Sequence, residues 1–313
     1  MKEKILKNFS LFGLVFVLVL FEILTQGRLL GQRNIKTLFN NFFSIGMCTV
    51  CYTFVMALGE LDLSVGATVG FSCAMAAISS GLGVYMILPV ALLSGLAVGM
   101  LNGVATAYFR VQSFIGTLAT SFIFRGLTTY YLNGSVGIPI GMRVWDETWV
   151  KVTALVIVVI AAYLLYSWLP FGRHCRAVGA SHEAARESGI NVRRTRMLAF
   201  AMVGLVCGLI GFFTLCKACT ASSKTGNAFE FDVLIAVLFG GMPLAGGWIV
   251  KFSSALIGAA SIALLKSGMS LVGIDGLVQQ VVEGIILIAA VVISFDRKNA
   301  AVIKYPIENQ GEE

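Results

Sequence analysis

Ten apolar runs follow one another along this chain, at 9–25, 37–58, 63–82, 85–109, 112–131, 149–169, 197–216, 231–247, 250–269 and 276–294. One membrane-spanning helix needs about 20 predominantly apolar residues. None of the runs alternates apolar and polar residues, as the strands of a membrane barrel would over about 10 residues. The expected fold is therefore all-α: one polytopic transmembrane domain over residues 1–313, with about ten helices, some broken or re-entrant. Composition agrees. Hydrophobic residues make up 58% and charged residues 12% of the 313, against roughly 45–50% and 25% in soluble domains. That excludes a soluble enzyme and a disordered chain. The net charge of +7 does not indicate nucleic-acid binding, because the Lys and Arg residues fall between the apolar runs, as loop charges do in bilayer proteins.

The first run follows Met1, Lys2, Glu3 and Lys4 and resembles the apolar core of a signal peptide. Glu22 and Gln26 follow it instead of a small-x-small cleavage site, so it is read as a retained helix. Four of the seven cysteines form Cys48-x-x-Cys51 and Cys216-x-x-Cys219, spacings that match metal or redox motifs. Both lie in or at the end of an apolar run without a His or acidic cluster. They read as small packing residues, and neither a metal nor a cofactor is expected.

Gly or Pro interrupts the pattern at 59–66 (GELDLSVG), at Pro89, at Gly134–Gly141 and at 240–247 (GGMPLAGG). Irregular backbone at membrane depth is tolerated only where it packs on protein or lines a cavity. Interruptions placed correspondingly in two halves point to a transport pathway. The 34 glycines suit close helix contact in lipid.

One long polar segment stands apart, 169–196, with six arginines and two glutamates. The positive-inside rule places it in the cytoplasm. With ten spans both termini, including the tail 295–313, are then cytoplasmic. The loop 26–36, with Arg28, Arg33 and Lys36, falls outside and runs against the rule. Within the polar segment, Ser181 suits an N-cap, Glu183 a first turn, and Gly189 the position past a helix end. A short helix is expected there. Its alanines, Ala180, Ala184 and Ala185, give it a narrow body able to enter a groove on a partner. The plainer reading is a surface helix on anionic lipid, but it has no large apolar face.

Five segments in order, GELDLSVG at 59–66, QSFIGTLATSFIFRGL at 112–127, GASHEAARESGI at 179–190, EFDVLIAVLFGGMPLAGG at 230–247 and QQVVEGIILI at 279–288, give the chain a resemblance to the permease subunits of bacterial ABC importers for simple sugars, the ribose, xylose and arabinose type. The resemblance covers nearly the whole chain. It implies a bacterial inner-membrane permease working as a pair of identical or mixed copies, with a separate ABC ATPase subunit and a periplasmic or lipid-anchored sugar-binding protein. It also implies that the cytoplasmic loop is a coupling helix, with Ala180, Ser181, Glu183, Ala184, Ala185, Arg186 and Gly189 facing the ATPase. The chain departs from the family pattern at Glu60, where Gly is usual, at Gln112 and Ser113, where Pro-Pro is frequent, and at Met242 and Pro243, where Thr-Ser is usual.

The candidate path residues are Glu60, Asp62, Ser64, Asn102, Phe114, Thr117, Arg125, Gln279 and Glu283. Asp62 also reads as a helix cap. Arg125 and Glu283 are open to pairing with each other or with backbone carbonyls. Asn102 and Gln279 are open to plain interhelical hydrogen bonding. Glu60 has no capping role and is the odder residue at such depth. There is no Gly-x-x-x-x-Gly-Lys-Ser/Thr motif, so ATP hydrolysis is expected of the partner. A nucleoside, polyol or signalling sugar is an alternative solute. A secondary transporter is a further alternative, though it would need intramembrane acids or His for ion coupling; Glu22, Asp232 and Glu283 are the acids available, and no run contains a His.

Overall fold

The fold is that of a computed structural model, which describes residues 9–243, 247 and 250–304. Its helices are α1 (Phe9–Leu24), α2 (Gln32–Ala57), α3 (Val65–Ser79), α4 (Ile87–Ala107), α5 (Ser113–Leu132), α6 (Thr148–Ser167), α7 (Pro170–Ala180), α8 (His182–Glu187), α9 (Val192–Ala218), α10 (Phe229–Phe239), α11 (Phe252–Val272) and α12 (Gly276–Lys304). All ten apolar runs are therefore built on helices. Six of the helical stretches are long and apolar enough to cross a membrane: Gln32–Ala57, Val65–Leu82, Val84–Ala107, Thr148–Ser167, Val192–Ala218 and Phe252–Val272. The run expected over 231–247 is different. Its helix stops at Phe239 after 11 residues, about 16 Å at 1.5 Å per residue, roughly half a hydrocarbon core. Gly241, at φ +83°, turns the chain out of the helix. Of the GGMPLAGG segment, residues 244–246 lie outside the described residues.

Pro89 is no interruption. It is the third residue of α4, within the first turn, where backbone N–H groups have no intrahelical acceptor to lose. Pro170 opens α7 in the same way. The Gly134–Gly141 stretch forms strand β1 (Ser135–Gly137), which pairs antiparallel with β2 (Thr220–Ser222) through Val136 and Ala221. This small ribbon joins the C-terminal ends of α5 and α9.

Helix α9 is the centre of the bundle. Its 27 residues start from Asn191, whose side chain accepts from the Arg194 amide at 3.0 Å. It lies against α4 backbone to backbone. A Cβ at Gly99 would meet Gly204 Cα at 2.9 Å, and one at Gly208 would meet Leu92 Cα at 3.1 Å. Small residues spaced by four remove the side chains that would otherwise separate two helices. On α6, by contrast, only 17% of the most apolar window is buried, and Trp149, Ile157, Ile160 and Tyr163 stand exposed. An apolar exterior of this kind suits a lipid solvent.

Candidate functional site

The arginine-rich segment folds as two helices at one end of the bundle. Ser181 caps α8, its hydroxyl accepting from the Ala184 amide at 3.3 Å, and Gly189 follows the helix at φ +80°. Ala180, Ser181, Glu183, Ala184, Arg186 and Gly189 are exposed. Ala185 is not. It is 3% exposed and belongs to the chain's own core, so its methyl is unavailable to a partner. The loop is seated by backbone contact: the α carbon of Gly179 lies so close to the Ala57 carbonyl that any Cβ would overlap it. Nearby, the Gly247 amide donates to Met56 O at 2.9 Å.

Between α8, the N-terminus of α9 and the turn before α5 lies a cavity of about 890 Å³. Glu60, Arg110, Phe114, His182, Arg186 and Arg196 are among its walls. Glu60 and Phe114 thus belong to the loop end of the molecule, beside the residues of α8. Glu60 is 6% exposed and forms an ion pair with Arg196; its carboxylate has no other polar partner among the described residues. Burial pushes its carboxyl up to about 7, with Arg196 opposing the shift. Arg196 Nη2 also lies 3.4 Å from His182 Nε2. Burial and the nearby guanidinium hold His182 below the usual histidine range.

From Gly59, at φ +77°, residues 60–64 run non-helical into the bundle. The amides of residues 61–64 each find a side-chain acceptor. Leu61 donates to Ser113 Oγ at 3.3 Å, Asp62 to Tyr52 OH at 2.8 Å, Leu63 to Thr117 Oγ1 at 3.0 Å, and Ser64 to Asp62 Oδ1 at 2.8 Å. The Ser64 hydroxyl donates to Asp62 Oδ1 at 2.7 Å and accepts from Asn102 Nδ2 at 2.7 Å. Asp62, Ser64, Asn102 and Thr117 are all buried and form one knot that fixes the break. The expected cap at Asp62 closes this turn rather than the helix: α3 begins at Val65, after Ser64, which makes no side-chain cap bond of its own.

Deeper in, two helices begin facing one another. A Cβ at Gly66, the second residue of α3, would overlap Glu230 and lie 2.5 Å from Gly226 O. Glu230, in the first turn of α10, accepts from Arg125 Nη2 with both oxygens at 3.0 Å, and the same nitrogen donates to Gly226 O at 3.1 Å. A carboxylate suits the positive end of a helix, and the guanidinium balances it. Of the two pairings left open for Arg125, that with a backbone carbonyl is present, at Gly226 O, while the acid it meets is Glu230 and not Glu283. Glu283 faces Lys266 at 3.4 Å, and Lys266 donates to both oxygens of Asp232 at 2.8 and 2.7 Å. Gln279 braces the turn between α11 and α12, donating to Ile274 O at 2.8 Å and Ser270 Oγ at 3.2 Å.

The nine path candidates therefore do not share one cavity. They divide among the loop-end cavity, the buried knot, the Arg125 pair, the α11–α12 turn and the Lys266 cluster. Sequence reasoning missed Glu230, whose signal was an acid immediately before the apolar run 231–247. The seven cysteines are free thiols, with Cys48, Cys51 and Cys216 buried.

A family model described as "Branched-chain amino acid transport system / permease component" matches residues 34–291. The chain is similar to the ribose import permease protein of Bacillus subtilis, 31% identical over 298 residues, covering 92% of each chain. It is similar to the L-arabinose ABC transporter permease protein of Azospirillum brasilense, 33% identical over 299 residues, covering 92% of this chain and 88% of the relative. It is also similar to the xylose transport system permease protein of Haemophilus influenzae, 30% identical over 361 residues, covering 92% and 96%. No solved structure matches the chain.

Proposed function

The chain belongs to the permease-component family of the branched-chain amino acid transport system, and from that premise we propose that it is the membrane subunit of an ATP-driven importer whose solute is a monosaccharide of the ribose, arabinose and xylose class. The observation that carries the sugar assignment is similarity over nearly the full length to relatives named for three such sugars. In this reading the chain crosses the bacterial inner membrane ten times, with both termini in the cytoplasm. Two permease copies, identical or mixed, form the pathway, and a periplasmic or lipid-anchored binding protein delivers the sugar. A separate ATPase docks on the exposed face of α8, through Ala180, Ser181, Glu183, Ala184, Arg186 and Gly189, and supplies the hydrolysis for which this chain carries no motif.

Three structural features support the mechanism. Helix α8 stands on the surface, yet Gly179 seats its loop against the end of α2. The cavity beside it reaches the break before α3. That break leads to the junction of α3 and α10, where irregular backbone and an ion pair sit within the bundle. A motion of α8 has a short route to a place where the membrane barrier is made of loops and half-length helices. The test is uptake of labelled ribose, arabinose and xylose into proteoliposomes holding the permease, its ATPase and the binding protein. Uptake should require ATP and survive a proton ionophore. Uptake abolished by the ionophore and indifferent to ATP would indicate a secondary transporter, and uptake of a nucleoside or polyol alone would reassign the solute.

A further inference from the structure

Among the described residues, Glu60 is the carboxylate that joins the coupling loop's surroundings to the break in the membrane domain. It sits between Gly59 and the non-helical residues 61–64, on the α3 side. Its partner Arg196 lies in the first turns of α9, and Arg196 in turn meets His182, the first residue of α8. The next residues along the break, Leu61 and Leu63, hold α5 through Ser113 and Thr117. The break before α3 and α9 are thus tied at one largely buried pair, and α8 reaches that pair through the exposed His182–Arg196 contact.

We propose that the Glu60–Arg196 pair is the strut that transmits displacement of α8 to the break before α3, so that Glu60 and Arg196 are positioning residues for transport. The inference rests on the functional reading above. The physical argument concerns what happens when the two residues separate. The Glu60 carboxylate has no second donor among the described residues, so parting from Arg196 would leave a buried charge unpaired, which is strongly unfavourable. Moving together is the easier course. A buried hydrogen-bonded knot then carries the movement onward from residue 60 to Ser64 and α4, because Asn102 holds Ser64. An exposed pair would let go; this one is poised to pull.

The strut is read as sugar moved per ATP hydrolysed by the reconstituted complex, using ribose as probe. Glu60→Gln and Arg196→Gln should lower that ratio by about fivefold or more, with ATP hydrolysis close to wild type. The exchange Glu60→Arg with Arg196→Glu should recover part of it. A merely structural pair would lower assembled complex and leave the ratio intact. Wild-type protein supplies a second arm that needs no variant to fold. Charged or titratable groups around Glu60 are Arg196 from α9, His182, Glu183 and Arg186 from α8, Cys175 from α7, Arg193 from the start of α9 and Arg110 from the turn before α5. Glu60 is the group raised to about 7, whereas His182 is shifted downward. The wild-type ratio should therefore fall as pH drops through about 7, should do so equally in His182→Gln, and should be flat in Glu60→Gln. A wild-type ratio in Glu60→Gln, or a pH-independent ratio in wild type, overturns the strut. Absence of any ATP-driven ribose uptake by the wild-type complex overturns the functional reading instead.

Discussion

Gly66 and Glu230 touch so closely that the glycine has no room for a side chain: a Cβ would fall inside the Glu230 carboxylate. Two helix starts 164 positions apart in sequence are thus held together by the absence of a methyl group. Gly66→Ala should cost about 1–3 kcal/mol as an overpacked site, and Gly66→Leu should sharply reduce assembled protein. Thermal unfolding in detergent and the yield of monodisperse permease measure both. Full expression and full transport of Gly66→Leu would show the junction to be loosely packed.

Asp62 separates a structural carboxylate from a charged one. Its Oδ1 receives both the Ser64 amide and the Ser64 hydroxyl. Asp62→Asn preserves that oxygen and should keep most transport. Asp62→Ala leaves two buried donors without their acceptor and should destabilise by about 1–3 kcal/mol. Uptake lost in Asp62→Asn with an unchanged melting temperature would mean that the charge itself serves the pathway.

Ala184 and Ala185 are neighbours with opposite environments, one exposed and one in the core. Ala184→Trp should leave the permease folded and abolish both ATPase association and uptake. Ala185→Trp should destabilise the permease itself, because the core has no space for the ring. Co-purification of the ATPase with each variant tells them apart, and normal association of Ala184→Trp would remove α8 as the docking element.

Topology follows from labelling with a membrane-impermeant thiol reagent in a cysteine-free background. A Cys at Gly137, in β1, should react in intact cells. A Cys at Arg186 should not, and neither should one at Asn299. External labelling at position 186 would invert the assignment of the loop and remove the docking reading with it.

The stability of the permease should depend on pH through Glu60. Its carboxyl is raised from 4.5 to about 7, so between those values the folded chain holds a proton that the unfolded chain has lost. Stability from this group therefore falls as pH rises from 4.5 through about 7 and is level above that. Melting temperatures measured over about pH 5 to 8 should show this contribution in wild type and a shallower slope in Glu60→Gln.

The helices were legible because lipid demands long apolar segments, and six of the helical stretches meet that demand among the described residues. Where the runs erred, hydropathy was blind to backbone angle: Met242, Leu244 and Ala245 extend the apolar run past Phe239, but Gly241 carries the chain out of the helix. The cap at Ser181 was legible because capping is local. The orientation of Ala185 was not, since a six-residue helix with alanines on several sides has no periodic face to read. Ion partners were least accessible. Arg125 meets an acid 105 positions away, and only the turn at 222–228 decides that this acid is Glu230 rather than Glu283.

The glycine seam between α4 and α9 limits what can move during transport. Along Gly95, Gly99, Gly204 and Gly208 the two backbones rest on each other, with no side chains between them to change rotamer and admit a new register. Such a pair behaves as a single beam. Any cycle between inward and outward openings must then be hinged around it, and among the described residues the non-helical stretches 58–64 and 222–228, brought together where Gly226 rests on Gly66, are where bending has room to occur.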